Sequence, residues 1–216
     1  MIALDCRARE TLSPHEATAV ASTVRAGGAV VFPTDTLYGL GADPFSAAGV
    51  AMVFRIKGRS AEKTLLVLIE GPELLGRFAA AVPAPWEALM RAFWPGPLTL
   101  LFPALPRLPA GIRSPEGEVA LRVPGSPLCR AVLRAAGGCL TGTSANRAGE
   151  GSFSDGPRAA RALGGLADLF VNAGTLTPSR ESTLLRVDVR GEVEMVREGA
   201  VGRGEIERVV GASTGS

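Results

Sequence analysis

The sequence predicts an α/β domain built on a mixed β-sheet. Strand-like and helix-like segments alternate through the first part of the chain, and two strand-like segments form a hairpin near its end. Hydrophobic residues make up 46% of the chain and charged residues 20%, a composition typical of globular domains. The length of 216 residues suits one domain. We expect that domain over residues 1–210, followed by a disordered tail over 211–216.

Local signals place the helices. The segment Ser13–Glu16 supplies an N-cap serine, a proline in the first turn and a capping-box glutamate, so a helix is expected over 14–25. A second helix is capped by Ser46 and ends near residue 56, with Gly58 as its C-terminal glycine. Further helices are expected over 72–81, 85–93, 127–136, 157–163 and 202–210.

Apolar runs bounded by turn residues place the strands. Two segments, 34–43 and 144–156, are expected to be loops because glycine and small polar residues interrupt them. The predicted strands cover 29–32, 65–69, 98–102, 119–123, 139–143 and 169–171, with a hairpin formed by 182–189 and 192–197.

Lysine is rare in this chain and confined to one stretch. Of 23 basic residues only Lys57 and Lys63 are lysines. Lysine is a compact point charge whereas arginine is a planar fork, so an arginine-rich chain that keeps Lys57 indicates a role for the ammonium. Lys57 and Arg59 are two residues apart, and in an extended segment they would project to one side as a clamp for polyphosphate. A solvated surface pair is the alternative.

Two further polar motifs follow predicted strands. Ser144 and Asn146, also two residues apart, would present a hydroxyl and an amide where open α/β sheets bind ligands, although an ordinary turn is the alternative. The loop 34–39 offers two hydroxyls, a carboxylate and the phenol of Tyr38, the only tyrosine in the chain. The carboxylate of Asp35 either takes part in the chemistry or caps the local backbone.

The chain lacks residues that several enzyme classes require. The stretch 58–64 ends in Lys-Thr, but Glu62 stands where a P-loop needs its second glycine. Gly142–Asn146 approaches a nucleophile elbow, but its last residue is not glycine. The only histidine, His15, is expected in the first turn of a helix, so a His-dependent triad is not predicted. The three cysteines lack metal-ligand spacing and indicate buried thiols in a reducing compartment.

Charge and hydropathy indicate neither a polyanion-binding protein nor a membrane protein. The net charge is +2, with ten basic and nine acidic residues in 1–110 and thirteen and twelve in 111–216. Nucleic-acid binding would therefore need a local basic patch. Asp5 and Arg7 precede any apolar run, so no signal peptide is expected, and no run approaches membrane-spanning length. We expect a cytoplasmic protein.

Taken together, the motifs resemble the YrdC family of threonylcarbamoyl-AMP synthases. The resemblance implies a twisted mixed sheet flanked by helices, with a concave active-site cleft, in the short single-domain form. Four residues depart from the family pattern: Ser60, Thr64 and Glu181 stand where proline is usual, and Leu68 replaces a common histidine. The matching segments, in register over roughly residues 15–210, are 33–40, 57–59, 94–99, 121–124, 143–146, 182–183 and 196–199.

The resemblance also implies a reaction and its participants. Threonine, bicarbonate and ATP, with Mg²⁺ accompanying the ATP, would form threonylcarbamoyl-adenylate and pyrophosphate. Transferase partners would then pass the threonylcarbamoyl group to adenosine 37 of tRNA, and tRNA or double-stranded RNA is a further expected partner. The implied catalytic residues are Lys57, Arg59, Ser144 and Asn146; the nucleotide-binding residues are Lys57, Arg59, Lys63, Asn146 and Arg197; the substrate-binding residues are Thr34, Tyr38, Arg122, Ser144 and Ser182; no metal ligand is implied.

Two alternatives to this synthase stay open. One is a non-catalytic RNA-binding module, which the 21 arginines favour and the small net charge opposes. The other is a carbamoyl-adenylate synthase for a different substrate, which Leu68 and Glu181 favour.

Overall fold

The structure is a computed structural model that describes residues 1–58, 64–147, 149, 151–163, 165–177 and 179–213. Strands β1 to β10 span Ile2–Asp5, Val30–Pro33, Tyr38–Gly41, Leu66–Ile69, Leu98–Pro103, Glu118–Arg122, Cys139–Ser144, Leu169–Asn172, Thr183–Val187 and Val193–Arg197. Helices α1 to α6 span Pro14–Arg25, Ala47–Lys57, Ala84–Phe93, Pro127–Ala135, Gly156–Ala162 and Arg203–Ser213, and a 3₁₀ helix covers Pro72–Arg77.

The ten strands form one mixed sheet in the order β1-β8-β2-β3-β7-β4-β6-β5-β9-β10. The sheet contains both parallel pairs, such as β4 with β6, and antiparallel pairs, such as β4 with β7. The predicted fold class is confirmed, and the late hairpin is present as the antiparallel pair β9 and β10.

Helices cover both faces of this sheet. Apolar residues of α2, α3, α5 and α6 join one buried cluster, which includes Phe54, Trp86 and Ile206. Residues of α1 and α4, such as Val20 and Val132, join a second cluster with other sheet residues. Burial of apolar area on both faces stabilises the layers at about 25 cal/mol per Å².

Strand β7 connects the two halves of the sheet. Its end, Thr143 and Ser144, pairs with β3, whereas its segment 139–142 pairs with β4. Two strands, β7 and β4, lie between β3 and β6 in the sheet order. Side chains of the turn before β3 nevertheless contact Arg122 at the end of β6. The sheet must therefore curve strongly, and its inner side is concave.

The local helix signals are confirmed. The Ser13 hydroxyl accepts a hydrogen bond from the Glu16 amide, and the Glu16 carboxylate accepts one from the Ser13 amide, which completes the capping box of α1. The Ser46 hydroxyl caps α2 by accepting a hydrogen bond from the Gly49 amide, and Gly58, whose φ of +62° lies in the left-handed region, caps its C-terminal end.

Four expectations about the elements were wrong. The loop predicted over 34–43 contains β3, and the strand β1 was not foreseen. The expected helix over 72–81 is a 3₁₀ helix that ends at Arg77. Helix α6 runs to Ser213, so residues 211–213 are helical rather than a disordered tail, and 214–216 lie outside the described residues.

Strand β3 was not predicted because its glycines are required by the close packing of a neighbouring strand. A Cβ added to Gly41 would lie 2.0 Å from the Thr141 carbonyl oxygen, so β7 packs against this position too closely for any side chain. Such a requirement is invisible in local propensity, where glycine only weakens a strand.

Within the described residues, no helix is both long and apolar enough to cross a membrane.

Candidate active site

A cavity of about 440 Å³ lies on the concave side of the sheet. One of its lining residues, Leu68, belongs to the apolar cluster of α1 and α4, so the cavity shares that face of the sheet. Strands β4, β5, β6 and β9 contribute every second residue, as expected for side chains on one face. The lining includes Leu66 and Leu68 of β4, Ala120 and Arg122 of β6, Gly142 and Ser144 of β7, and Leu184 and Arg186 of β9.

The first polar group at the cavity joins Lys57, Ser144 and Asn146. The ammonium of Lys57 donates to the Ser144 carbonyl oxygen at 2.7 Å and to Asn146 Oδ1 at 2.6 Å, and lies 3.4 Å from the Ser144 hydroxyl. The Ser144 hydroxyl donates to Asn146 Oδ1 at 2.6 Å. Lys57 is only 4% exposed and Asn146 only 6%, so Ser144 carries this group to the cavity surface.

The local fold explains this convergence. Lys57 is the last residue of α2, and the left-handed turn at Gly58 redirects the chain just after it. Lys57 is therefore helical, not part of the extended segment assumed for the pair with Arg59. Ser144 ends β7, and the two motifs meet although 87 residues separate them. Arg59 and Lys63 lie outside the described residues.

The second polar group surrounds Arg122. Its guanidinium donates from Nε to the Gly96 carbonyl oxygen at 2.9 Å, from Nη1 to the Thr36 hydroxyl at 3.3 Å, and from Nη2 to Asp35 Oδ1 at 2.5 Å. The Arg122 side chain is 4% exposed and that of Asp35 is 17% exposed. This ion pair is therefore largely shielded from water, and Asp35 does more than cap its local backbone.

The Thr34 hydroxyl shapes the turn that carries Asp35. It donates to the Leu37 carbonyl oxygen at 2.7 Å and accepts from the amides of Thr36 and Leu37, each at 3.1 Å. Thr34 borders the cavity, but its hydroxyl is engaged in this turn. Its contribution to the site is therefore to hold the turn between β2 and β3 in shape.

Tyr38 is fully buried at the edge of the cavity. Its hydroxyl donates to the Gly174 carbonyl oxygen at 2.8 Å and accepts from the Ala173 amide at 2.9 Å. Burial raises the pKa of the phenol to about 12. The phenol thus fastens the segment after β8 and is not directed at a ligand.

The third polar group forms the rim near β9 and β10. The Ser182 hydroxyl lies 2.8 Å from the Thr99 hydroxyl, and Arg197 Nη2 donates to the Ser182 carbonyl oxygen at 2.8 Å. Arg197 Nη1 also pairs with Glu181 Oε2 at 2.9 Å. The side chains of Arg197 and Glu181 are 46% and 48% exposed, so solvent screens this pair.

One charged pair at the cavity was not foreseen. Glu118 and Arg186 both line it, with 3.3 Å between Glu118 Oε2 and Arg186 Nη2. Burial raises the pKa of Glu118, and Arg186 opposes that rise. Neither residue belongs to a motif, but Glu118 precedes Arg122 by four residues in one strand, so strand alternation already places both on one face.

Three of the four departures from the family pattern line this cavity, namely Thr64, Leu68 and Glu181. Leu68 lines it with an apolar surface where a histidine is common, and Glu181 faces Arg197. Ser60 lies outside the described residues. Within the described ranges, no group of three or more histidine, cysteine, aspartate or glutamate residues could hold a metal ion.

Comparisons with known proteins agree with this architecture. A model of the Sua5, YciO and YrdC family, described as telomere recombination, matches residues 22–199. Threonylcarbamoyl-AMP synthase of Alkalilimnicola ehrlichii is 36% identical over 177 residues, which cover 80% of this chain and 91% of that protein. The protein of the same name from Thiobacillus denitrificans is 36% identical over 163 residues, covering 75% and 86%.

A solved structure shows the same fold. The crystal structure of Pyrococcus abyssi Sua5 complexed with L-threonine superposes with a TM-score of 0.91 at 30% sequence identity. The match covers 98% of this chain but 61% of that one, so this chain spans less than two thirds of that protein. Because the family model covers most of the chain and the identity holds over most of its length, this chain belongs to the Sua5/YciO/YrdC family.

Proposed function

We propose that this protein is an L-threonylcarbamoyladenylate synthase. The observation that carries the proposal is the convergence of the buried Lys57 and Asn146 on Ser144, which lines a cavity of about 440 Å³. An ammonium held by oxygens at the wall of a concave site is suited to phosphate. The name shared by the curated relatives supports the same activity.

The proposed reaction has two steps. The threonine amine and bicarbonate form a carbamate with loss of water. A carbamate oxygen then attacks the α-phosphorus of ATP, a phosphorus–oxygen bond forms, the bond to the β-phosphate breaks, and pyrophosphate leaves. Such a transfer depends on positioning and on stabilisation of charge, and it needs no covalent nucleophile from the protein.

We assign the phosphate end of the cavity to the Lys57 group. Lys57 would neutralise the charge that develops on the α-phosphate and the leaving pyrophosphate, together with Arg59 and Lys63 as expected from the sequence. Ser144 and Asn146 hold the ammonium in place and contact the nucleotide. Arg197, half exposed at the rim, would reach another phosphate. Mg²⁺ would enter as part of the MgATP substrate, with phosphate oxygens and water among its ligands.

We assign the threonine end to Arg122, with Ser182, Thr34 and Tyr38 around it. A guanidinium carries five N–H groups, and three of those on Arg122 have partners among the described residues. One N–H on each terminal nitrogen is left for a carboxylate, which suits bidentate binding. The hydroxyl pair of Ser182 and Thr99 offers donors and acceptors nearby on the same cavity wall.

The product would serve tRNA modification in the cytoplasm. Threonylcarbamoyl-adenylate is a reactive mixed anhydride, so a transferase partner must consume it, with adenosine 37 of tRNA as the acceptor. The protein would meet tRNA or double-stranded RNA in that process.

The test is pyrophosphate release by the pure protein with MgATP, bicarbonate and threonine. We expect threonine-dependent pyrophosphate and a new adenylate in the wild type, and neither in Lys57→Ala. Equal release from the two proteins would overturn the proposal. Replacing threonine by serine, valine and alanine in the same assay tests the alternative substrate class that Leu68 and Glu181 favour.

A further inference from the structure

Asp35 is not among the residues that line the cavity, but its partner Arg122 lines it and is proposed to bind the substrate. Its carboxylate contacts Arg122 Nη2 at 2.5 Å, and both side chains are largely shielded from water. Asp35 belongs neither to the Lys57 group nor to the rim, and the reaction described above assigns it no role.

Three residues from two separate segments restrain the Arg122 guanidinium. Asp35 and Thr36, in the turn before β3, hold the two terminal nitrogens, and the Gly96 carbonyl oxygen, in the segment after α3, holds Nε. A planar group held at all three nitrogens has little freedom to rotate. Of these partners only Asp35 carries a charge, so it provides the strongest of the three restraints.

The surroundings of Asp35 leave its carboxylate a defined space. A Cβ added to Gly125 would lie 3.1 Å from Asp35 Oδ2, a distance tighter than most such contacts. Glycine at this position therefore leaves room for the second carboxylate oxygen while the first one faces Arg122. The turn itself is fixed by the Thr34 hydroxyl, which bonds the backbone of Thr36 and Leu37 just after Asp35.

We propose that Asp35 is a positioning residue, which orients Arg122 so that its two remaining N–H groups receive the carboxylate of the amino-acid substrate. This inference rests on the proposed function only in taking an amino acid as the ligand. Asp35 acts through Arg122 and contacts neither substrate. Its removal lowers amino-acid affinity and leaves the phosphate end of the cavity in place.

The experiment measures threonine binding by titration calorimetry without ATP, so the result does not depend on turnover. It uses the wild type, Asp35→Asn, Arg122→Gln and the double variant. We expect Asp35→Asn to bind threonine at least about tenfold more weakly, the effect of losing one charge-assisted hydrogen bond. The double variant is expected to bind within twofold of Arg122→Gln alone, because Asp35 has no role once Arg122 is absent. ATP affinity of Asp35→Asn is expected within twofold of the wild type.

A matched control is available outside the cavity. Glu70 pairs with Arg134 at 2.5 Å, and neither residue lines the cavity. Glu70→Gln changes the net charge as Asp35→Asn does, and we expect its threonine affinity within twofold of the wild type. If Asp35→Asn shows no cooperative unfolding transition, Asp35→Glu replaces it, since that variant keeps the charge and displaces the carboxylate by one methylene. We expect at least threefold weaker threonine binding for Asp35→Glu.

Three results would overturn the inference: wild-type affinity for threonine in a folded Asp35 variant, full multiplication of the two single effects in the double variant, or no threonine binding by the wild type. Failure of the proposed function looks different. A wild type that binds threonine with the expected dependence on Asp35, yet releases no pyrophosphate, removes the synthase proposal and leaves the role of Asp35 intact.

Discussion

The Lys57 group and the Arg197 rim border one cavity but hold their charges in opposite ways. Lys57 is buried and has bonds to two residues of one distant motif, whereas Arg197 is about half exposed and pairs with an equally exposed Glu181. A buried charge interacts strongly because water does not screen it, and an exposed pair contributes at most about 1 kcal/mol. Under the proposed function, the buried group would govern the chemistry and the rim would tune nucleotide affinity.

The sharpest test of this contrast is Lys57→Ala. We expect pyrophosphate release to fall by about 100-fold or more, the loss typical when a preorganised charge-stabilising donor is removed. Lys57→Arg is the matched control for charge, and we expect it to stay below a tenth of wild-type activity because a planar fork does not replace a compact ammonium between Ser144 and Asn146. A Lys57→Ala variant with more than a tenth of wild-type turnover would place the chemistry elsewhere.

Asn146→Ala tests whether the buried group also stabilises the fold. Asn146 Oδ1 accepts from both Lys57 and the Ser144 hydroxyl, so truncation leaves buried donors without this acceptor. We expect a loss of about 1–3 kcal/mol in the free energy of unfolding, measured with urea, and about tenfold lower activity. The corresponding truncation at the rim, Glu181→Ala, provides the comparison, and an equal loss of stability there would contradict the contrast.

Tyr38 reports how completely the buried side of the site excludes water. Burial raises its pKa to about 12 from 10, so the folded state keeps its proton longer than the unfolded state does. Stability from this group is therefore complete below pH 10 and declines as the pH rises from 10 towards 12. Because the chain has a single tyrosine, its absorbance gives the titration directly. We expect tyrosinate to appear near pH 12 in the folded protein and near pH 10 in urea, whereas one midpoint for both states would mean that the phenol is solvated.

Glu181→Gln is expected to have the smallest effect. It removes the carboxylate that competes with phosphate for Arg197, so the ATP concentration for half-maximal rate should fall by a few-fold, more at low salt than at high salt. The free energy of unfolding is expected to change by less than about 1 kcal/mol. A rise in that ATP concentration would show that Glu181 assists the nucleotide instead of competing with it.

Sequence reasoning succeeded where the cause is local and failed where it is not. The caps at Ser13 and Ser46 and the turn at Gly58 depend on neighbouring residues, and the structure confirms all three. The contact of Lys57 with Asn146 joins residues 89 positions apart. It was expected only because the scarcity of lysine pointed to Lys57 and the family resemblance pointed to both residues.

The ion pair of Asp35 and Arg122 shows the limit of such reasoning. Each residue was noticed in its own motif, but 87 positions and two intervening strands separate them in chain and sheet. Only the curvature of the sheet brings the turn before β3 onto the end of β6. The pair of Glu118 and Arg186 was also missed because it is a non-local contact. It joins β6 and β9, which do not pair with each other but lie on either side of β5.

Strand β7 has a mechanical consequence for the reaction. It holds the two halves of the sheet together and also ends in Ser144, which carries the Lys57 group to the cavity. Separating β7 from β3 would remove the pairing that fixes Ser144, so we expect catalytic activity and the folded sheet to be lost together. Heat would then inactivate the protein at the temperature at which the whole sheet comes apart, with no earlier loss of activity while the fold survives.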